Sequence, residues 1–208
     1  MINLQNSALL LIEFQNEWLR EDGKLNHLLS DRAQFFSSQN NAKNIIECAR
    51  TTGINIIHSG LTFSKEYKEL GKATHGLRAA IPQNKTFLEK TDASEFTKPF
   101  IPEKHEFKVS GRIGSSAFSG SNLDAYLRNN RITHLFMMGY ALHVCVESTL
   151  RAAHDLGYES IVIEDASSAF NQEQKEYFLQ HVIHHFGSTM KSIDFINFLK
   201  RGTIYERQ

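Results

Sequence analysis

A continuous apolar run occupies 7–12, and similar short runs recur along the chain at 54–58, 134–138 and 160–163. A run with no polar break is what a strand covered on both faces requires. Helical patterns separate these runs: 42–52 ends at Gly53, 122–130 follows a Ser121/Asn122 cap, 144–156 ends at Gly157, and 172–186 ends at Gly187. Strand alternating with helix predicts a parallel α/β sheet with helices on both faces, and 208 residues fit one domain spanning 1–208. The stretch 60–104 breaks the rhythm and carries all three prolines, Pro82, Pro99 and Pro102. It reads as an excursion of short elements, a class of segment that covers a crevice, meets a second subunit, or lies on the surface with neither role.

Composition narrows the partners. Hydrophobic residues at 41% and charged residues at 22% suffice for an ordinary core, and no Pro- or Ser-rich linker or repeat is present. Lys and Arg (23) balance Asp and Glu (23), which removes the basic footprint of a nucleic-acid or anionic-membrane binder. No apolar segment approaches the roughly 20 residues of a membrane span, and the beginning Met1-Ile2-Asn3-Leu4 lacks a basic region and long apolar run, so a cytoplasmic protein is expected. Two cysteines, Cys48 and Cys145, are too few for a disulfide scaffold. Cys48 falls beside the apolar positions of a helix and is expected to pack.

Cys145 is different. Phe136-Met137-Met138-Gly139-Tyr140-Ala141-Leu142-His143-Val144-Cys145 reads as a buried strand, a tight turn and a helix start, with the thiol in the first turn. There, backbone N–H groups and the positive end of the helix dipole favour thiolate, and neighbouring N–H groups can hold a developing oxyanion. A small buried hydrophobe is the plainer reading. In open α/β sheets ligands bind beyond the carboxyl ends of the strands. Three strand ends then bring together Glu13 after the first run, Arg112 after a short strand around 107–109, and Cys145 after the strand at 134–138.

Three blocks, Leu10-Leu11-Ile12-Glu13-Phe14-Gln15-Asn16, Gly111-Arg112-Ile113-Gly114-Ser115-Ser116-Ala117-Phe118 with Ser121-Asn122-Leu123-Asp124, and Gly139 through Thr149, resemble in order and spacing those of the isochorismatase-like cysteine hydrolases. The resemblance spans about 7–199. It implies a Rossmann-like three-layer α/β/α sandwich with a mostly parallel central sheet. It also implies a carboxylate, Lys and Cys triad, a non-proline cis peptide in the 140–142 turn, a dimer or tetramer, and hydrolysis of C–N bonds in small molecules.

Two positions depart from the family pattern: its Asp is Glu13 here, and its Lys is Arg112. Glutamate keeps the acid–base chemistry with one more methylene of reach. A guanidinium cannot trade a proton near neutrality, and its planar fork favours bidentate carboxylate pairing, so Arg112 can act only electrostatically. Some members hold a metal through Asp-x-His and a second His; Ile57-His58-Ser59-Gly60 offers no such pattern, and His58 is expected in the core or pocket. His181, His184 and His185 have ligand-like spacing but no carboxylate or Cys beside them, which reads as a partly exposed helix face.

The expectation is therefore a metal-free, cofactor-independent cysteine amidohydrolase acting on a small molecule. Glu13 is its acid/base, Arg112 its cation and Cys145 its nucleophile. The N–H of Cys145 and another from the turn at Ala141, Leu142 and Val144 would bind the oxyanion, and Trp18, Tyr140 and His143 would contact substrate. The alternatives are a catalytically impaired binding or regulatory protein, and an isochorismatase-type vinyl ether hydrolase that needs no thiol.

Overall fold

The computed structural model describes residues 2–204. Six strands form one parallel sheet: β2 (Ser7–Ile12), β3 (Asn55–Ser59), β4 (Phe107–Lys108), β5 (His134–Gly139), β6 (Glu159–Ile163) and β7 (Ser188–Met190), in the order β4-β3-β2-β5-β6-β7. A separate antiparallel pair joins β1 (Ile2–Asn3) to β8 (Thr203–Ile204) near the two ends of the described chain. The helices are α1 (Asn16–Leu19), α2 (Arg32–Ala49), α3 (Leu77–Asn84), α4 (Leu123–Asn129), α5 (Glu147–Asp155), α6 (Gln172–His181), α7 (Ile183–Phe186) and α8 (Ser192–Arg201).

Why the apolar runs are unbroken is visible along β2. Leu9 and Leu11 face one layer, with Phe35, Ala42 and Ile45 of α2 and Phe195 and Phe198 of α8; Ala8, Leu10 and Ile12 face the other, with Leu123 of α4, Leu150 of α5 and Phe178 of α6. Because side chains alternate across a strand, covering both faces demands apolar residues at every position. The three-layer α/β/α sandwich follows.

Some boundaries differ from the sequence expectation. Helix α2 begins ten residues before position 42, at Arg32, because the Asp31 carboxylate accepts the Gln34 N–H at 3.0 Å and caps it. The helical stretch at 172–186 is broken at Val182 into α6 and α7. β7 and α8 complete the sheet edge and one helical layer without having been foreseen. No helix among the described residues is long and apolar enough to cross a membrane.

A buried polar cluster ties the sheet edge to the end of the 60–104 excursion. Arg50 grips Glu106 with Nε at 2.7 Å and Nη2 at 3.0 Å, and donates to the carbonyls of Pro99 (2.8 Å) and Ile101 (2.9 Å). His58 Nε2 lies 2.7 Å from Glu106 Oε2, while its Nδ1 is buried without a partner. That arrangement suits a neutral ring donating from Nε2, since a second buried N–H would go unpaired. Burial lowers the His58 pKa, and the Glu106 carboxylate opposes this only in part. Burial acts to raise the Glu106 carboxyl, but hydrogen bonds from His58, Arg50 and the Glu103 backbone outweigh it and hold the group far below the usual carboxylate range.

Both shifts carry the same sign for stability. The unfolded chain takes up a proton at His58 below its ordinary value of 6.5, and at Glu106 below 4.5, before the folded protein does. Stability should therefore fall as pH drops through 6.5 and fall further through 4.5. Urea melts should show a lower midpoint at pH 5 than at pH 7.5, and His58→Gln should flatten this interval; an equal drop in the variant would clear His58 of the effect.

Candidate active site

Glu13 is the first residue beyond β2, where its N–H donates to Ser59 O at 2.8 Å. Its φ of 58° is in the left-handed region, which few non-glycine residues occupy and which gathers at functional sites. The carboxylate is almost fully buried (1% exposed), with both oxygens engaged. Oε1 accepts from Arg112 Nη2 at 2.6 Å, and Oε2 accepts from Trp18 Nε1 at 2.8 Å. Trp18 sits on α1, which starts three residues after Glu13, so the strand-to-helix turn delivers both the carboxylate and its clamp.

Arg112 is also buried, at 3% exposure. Nε donates to Gly114 O (3.0 Å), Nη1 reaches Ser59 O and Oγ (3.4 Å each), and Nη2 donates to Ser115 O (2.5 Å) as well as Glu13. A guanidinium has five N–H groups, and here each has an acceptor. The expected bidentate pairing with the carboxylate is not formed: one nitrogen meets one Glu13 oxygen, because Trp18 takes the other oxygen and loop carbonyls take the rest of the fork. The cation is fixed in place with no donor to spare for a ligand.

Cys145 lies in one turn of π-helix, Leu142–Val146, which precedes α5 and follows a cis peptide between Tyr140 and Ala141. The expected non-proline cis bond is thus present. Gly139 makes the approach possible: a Cβ there would lie 2.0 Å from Ile12 O, pushing apart the strand ends that carry Glu13 and the thiol turn. Thr149 Oγ1 accepts from Ala117 N (2.9 Å) and donates to Cys145 O (2.7 Å), tying the Ala117-Phe118 block to the turn.

The thiol is buried, and its pKa stands well above the ordinary cysteine value, first because burial disfavours the thiolate and then because the Glu13 carboxylate repels it; Arg112 works in the other direction. This reverses the expectation of a thiolate favoured by the helix start. Position in a helix turn counts for less than desolvation beside an anion. The resting group is a thiol interacting with the two charged residues that flank it.

The turn's N–H groups are unequal. Cys145 N (3.1 Å), Val144 N (3.0 Å) and Val146 N (3.3 Å) all donate to Ala141 O, and Leu142 N donates to Ser168 O at 2.8 Å. Of the turn residues expected to supply an oxyanion donor, Ala141 is the one whose N–H has no partner among the described residues. Leu142 is committed elsewhere.

Glu13 and Cys145 share a cavity of about 230 Å³, walled on one side by Trp18, Val144 and Phe170 and on the other by Leu61, Leu77, Ile81 and Phe87 of the excursion. Residues of 60–104 thus cover the crevice, one of the roles weighed for that stretch. Three side chains after β2 stitch it down: Gln15 and Asn16 fall in the first sequence block without an assigned role, and Glu17 lies just beyond it. Gln15 donates to Leu61 O (2.7 Å) and Ser94 O (2.6 Å) and accepts from Leu61 N (2.8 Å); Asn16 donates to Asp92 O (2.8 Å); Glu17 accepts from Phe87 N (3.0 Å). A run of three polar residues close behind an apolar run, set between Phe14 and Trp18, was the signal available.

Two residues expected to contact substrate, Tyr140 and His143, do not line this cavity. Tyr140 is fully buried, its ring set edge-on between Phe14 and Phe35 and its hydroxyl 3.1 Å from Ser38 Oγ, so it belongs to the core rather than the cavity wall. His143 stacks edge-on against Phe170 at 4.5 Å, and it is Phe170 that meets the cavity. Trp18 keeps its place on the wall, and holds Glu13 besides.

The histidines at 181, 184 and 185 are exposed, as expected of a helix face. Cys48, on α2, is half-buried against the core that this helix covers. Among the described residues, candidate ligand side chains come together at Glu103, His105 and Glu106, away from the cavity, and Glu106 is already held by His58 and Arg50.

Known proteins resemble this chain in sequence and in fold. The chain is 30% identical over 174 residues to the ureidoacrylate amidohydrolase RutB of Enterobacter sp. (strain 638), covering 78% of this chain and 75% of that one. Its fold superposes on a cysteine hydrolase from Pseudomonas syringae pv. phaseolicola 1448A with a TM-score of 0.83, at 16% identity, over 97% and 96% of the two chains. It also superposes on the N-carbamoylsarcosine amidase of Thermoplasma acidophilum with a TM-score of 0.67, at 21% identity, over 90% and 96%. The isochorismatase domain matches residues 7–194, and with the parallel sheet and the three sequence blocks already described, this chain belongs to the isochorismatase family of hydrolases.

Proposed function

We propose that the protein hydrolyses the C–N bond of a small amide through a thioester on Cys145, with Glu13 as the acid/base. The observation that carries this reading is the burial of one thiol and one carboxylate against the same cavity, with the carboxylate clamped by Arg112 and Trp18. The similarity to an amidohydrolase over three quarters of each chain supports the reaction class.

Glu13 takes the proton of Cys145 as sulfur attacks the carbonyl carbon, and the carbonyl electron pair moves to oxygen. The raised thiol pKa makes that base necessary, because little thiolate exists beforehand. The Ala141 N–H is the open donor for the oxyanion, and Cys145 N–H can turn to it from the carbonyl that it shares with two other donors. When the tetrahedral adduct collapses, the C–N bond breaks and Glu13 returns the proton to the leaving nitrogen. Water then gives a proton to Glu13 and its oxygen to the thioester carbon, releasing the acid and restoring the thiol. Arg112 stays a fixed positive charge throughout and exchanges no proton.

Quenched turnover followed by peptide mass spectrometry should place the acyl group on Cys145; an adduct on Cys48 would end the assignment. Glu13→Gln keeps the shape but removes the base, so kcat should drop on the order of 10² to 10⁴ with substrate affinity little changed. An unchanged kcat would reduce Glu13 to a structural role.

A further inference from the structure

The cavity wall also speaks to what the substrate carries. Besides Glu13 and Cys145, its lining is almost wholly apolar, with Leu25, Leu28, Ile81, Phe87 and Phe170 contributing, and no Lys, Arg or His is among the lining residues. The remaining polar groups offer little to an anion. Thr86 Oγ1 is directed to Ile81 O at 3.4 Å, and Asn84, at the exposed rim, already gives one amide hydrogen to Ala80 O at 2.8 Å. Arg112, the cation beside Glu13, has spent all of its N–H groups on Glu13, Ser59, Gly114 and Ser115. Lys24, outside the lining at the exposed rim, gives its ammonium to the carbonyls of Asn84 (3.3 Å) and Lys85 (2.5 Å). Exposed His75 and Arg78 face a separate opening, and Leu61, Leu77 and Ile81, which line both spaces, stand between.

Building on the amidohydrolase reading, we infer that the substrate is an uncharged amide bearing a compact hydrophobic group, alkyl or aryl, and not an amide that carries a carboxylate. A carboxylate in this cavity would lose its water, find no cation or free pair of donors, and lie beside the buried Glu13 carboxylate. Size permits the hydrophobic class: a dry apolar cavity of about 150 Å³ already accepts benzene, and this one is about 230 Å³. The apolar wall binds the side group and leaves the amide carbon to Cys145.

The test compares 4-methylpentanamide with succinamate, in which a carboxylate replaces the branched end at nearly the same shape. Ammonia release by the wild-type protein should favour the neutral amide by at least about 100-fold in kcat/KM, and calorimetry with Cys145→Ala should rank the two in the same order. Leu77→Lys sets an ammonium at the cavity's edge on a residue that is already partly exposed, and should shift the ratio toward succinamate. Arg78→Ala should leave the ratio as it is. Equal or better use of succinamate, no calorimetric preference for the neutral amide, or a ratio that depends on Arg78 would each overturn the inference. Absence of turnover with either amide would instead count against the thioester reading, while the calorimetry on Cys145→Ala still decides the substrate class.

Discussion

Cys145→Ala is expected to abolish amide hydrolysis, by at least about 10⁴-fold, because removal of a covalent nucleophile leaves only binding and oxyanion stabilisation to act on the substrate. The fold should survive. Cys145 is buried in the layer with Leu142, Val146 and Leu150, and losing one sulfur atom there costs on the order of 1 kcal/mol through a small cavity. Circular dichroism and a thermal melt separate the two effects. Full amide hydrolysis by Cys145→Ala would sink the mechanism, and activity of that variant on isochorismate would redirect it toward vinyl ether hydrolysis.

Arg112→Ala should lose most activity and be hard to fold. It leaves the buried Glu13 carboxylate without its cation, and breaking one side of a buried ion pair typically costs about 3 to 5 kcal/mol. It also orphans the carbonyls of Gly114 and Ser115. Arg112→Lys is the informative counterpart. The charge remains, but three donors replace five, so Glu13 keeps a partner while part of the loop loses its ties. Measurable activity in Arg112→Lys with near-complete loss in Arg112→Ala would show that charge is the requirement. A wild-type protein inert toward amides that gains turnover as Arg112→Lys would point to an impaired enzyme. Good wild-type turnover indifferent to Arg112→Ala would falsify both versions.

Chain order and periodicity alone determined the central strands, the alternation with helices and hence the parallel sheet, because a strand covered on both faces has no freedom to be polar. They also placed Glu13, Arg112 and Cys145 at strand ends, where an open α/β sheet gathers its ligands. Helix α2 was legible only in its second half, since the polar stretch Ser37-Ser38-Gln39-Asn40-Asn41 hides a helix that Asp31 starts and the core secures. What only the tertiary structure decided was how these groups stand toward one another. The Arg112 fork turned out to be shared among a carboxylate and loop oxygens, and Tyr140 turned into the core between Phe14 and Phe35. The thiol's protonation followed from burial beside Glu13 rather than from its helix position. The reason is physical: secondary structure follows from local periodicity. Desolvation, donor–acceptor matching and a cavity's lining instead depend on residues far apart in the chain, such as Glu13 and Arg112, 99 positions apart.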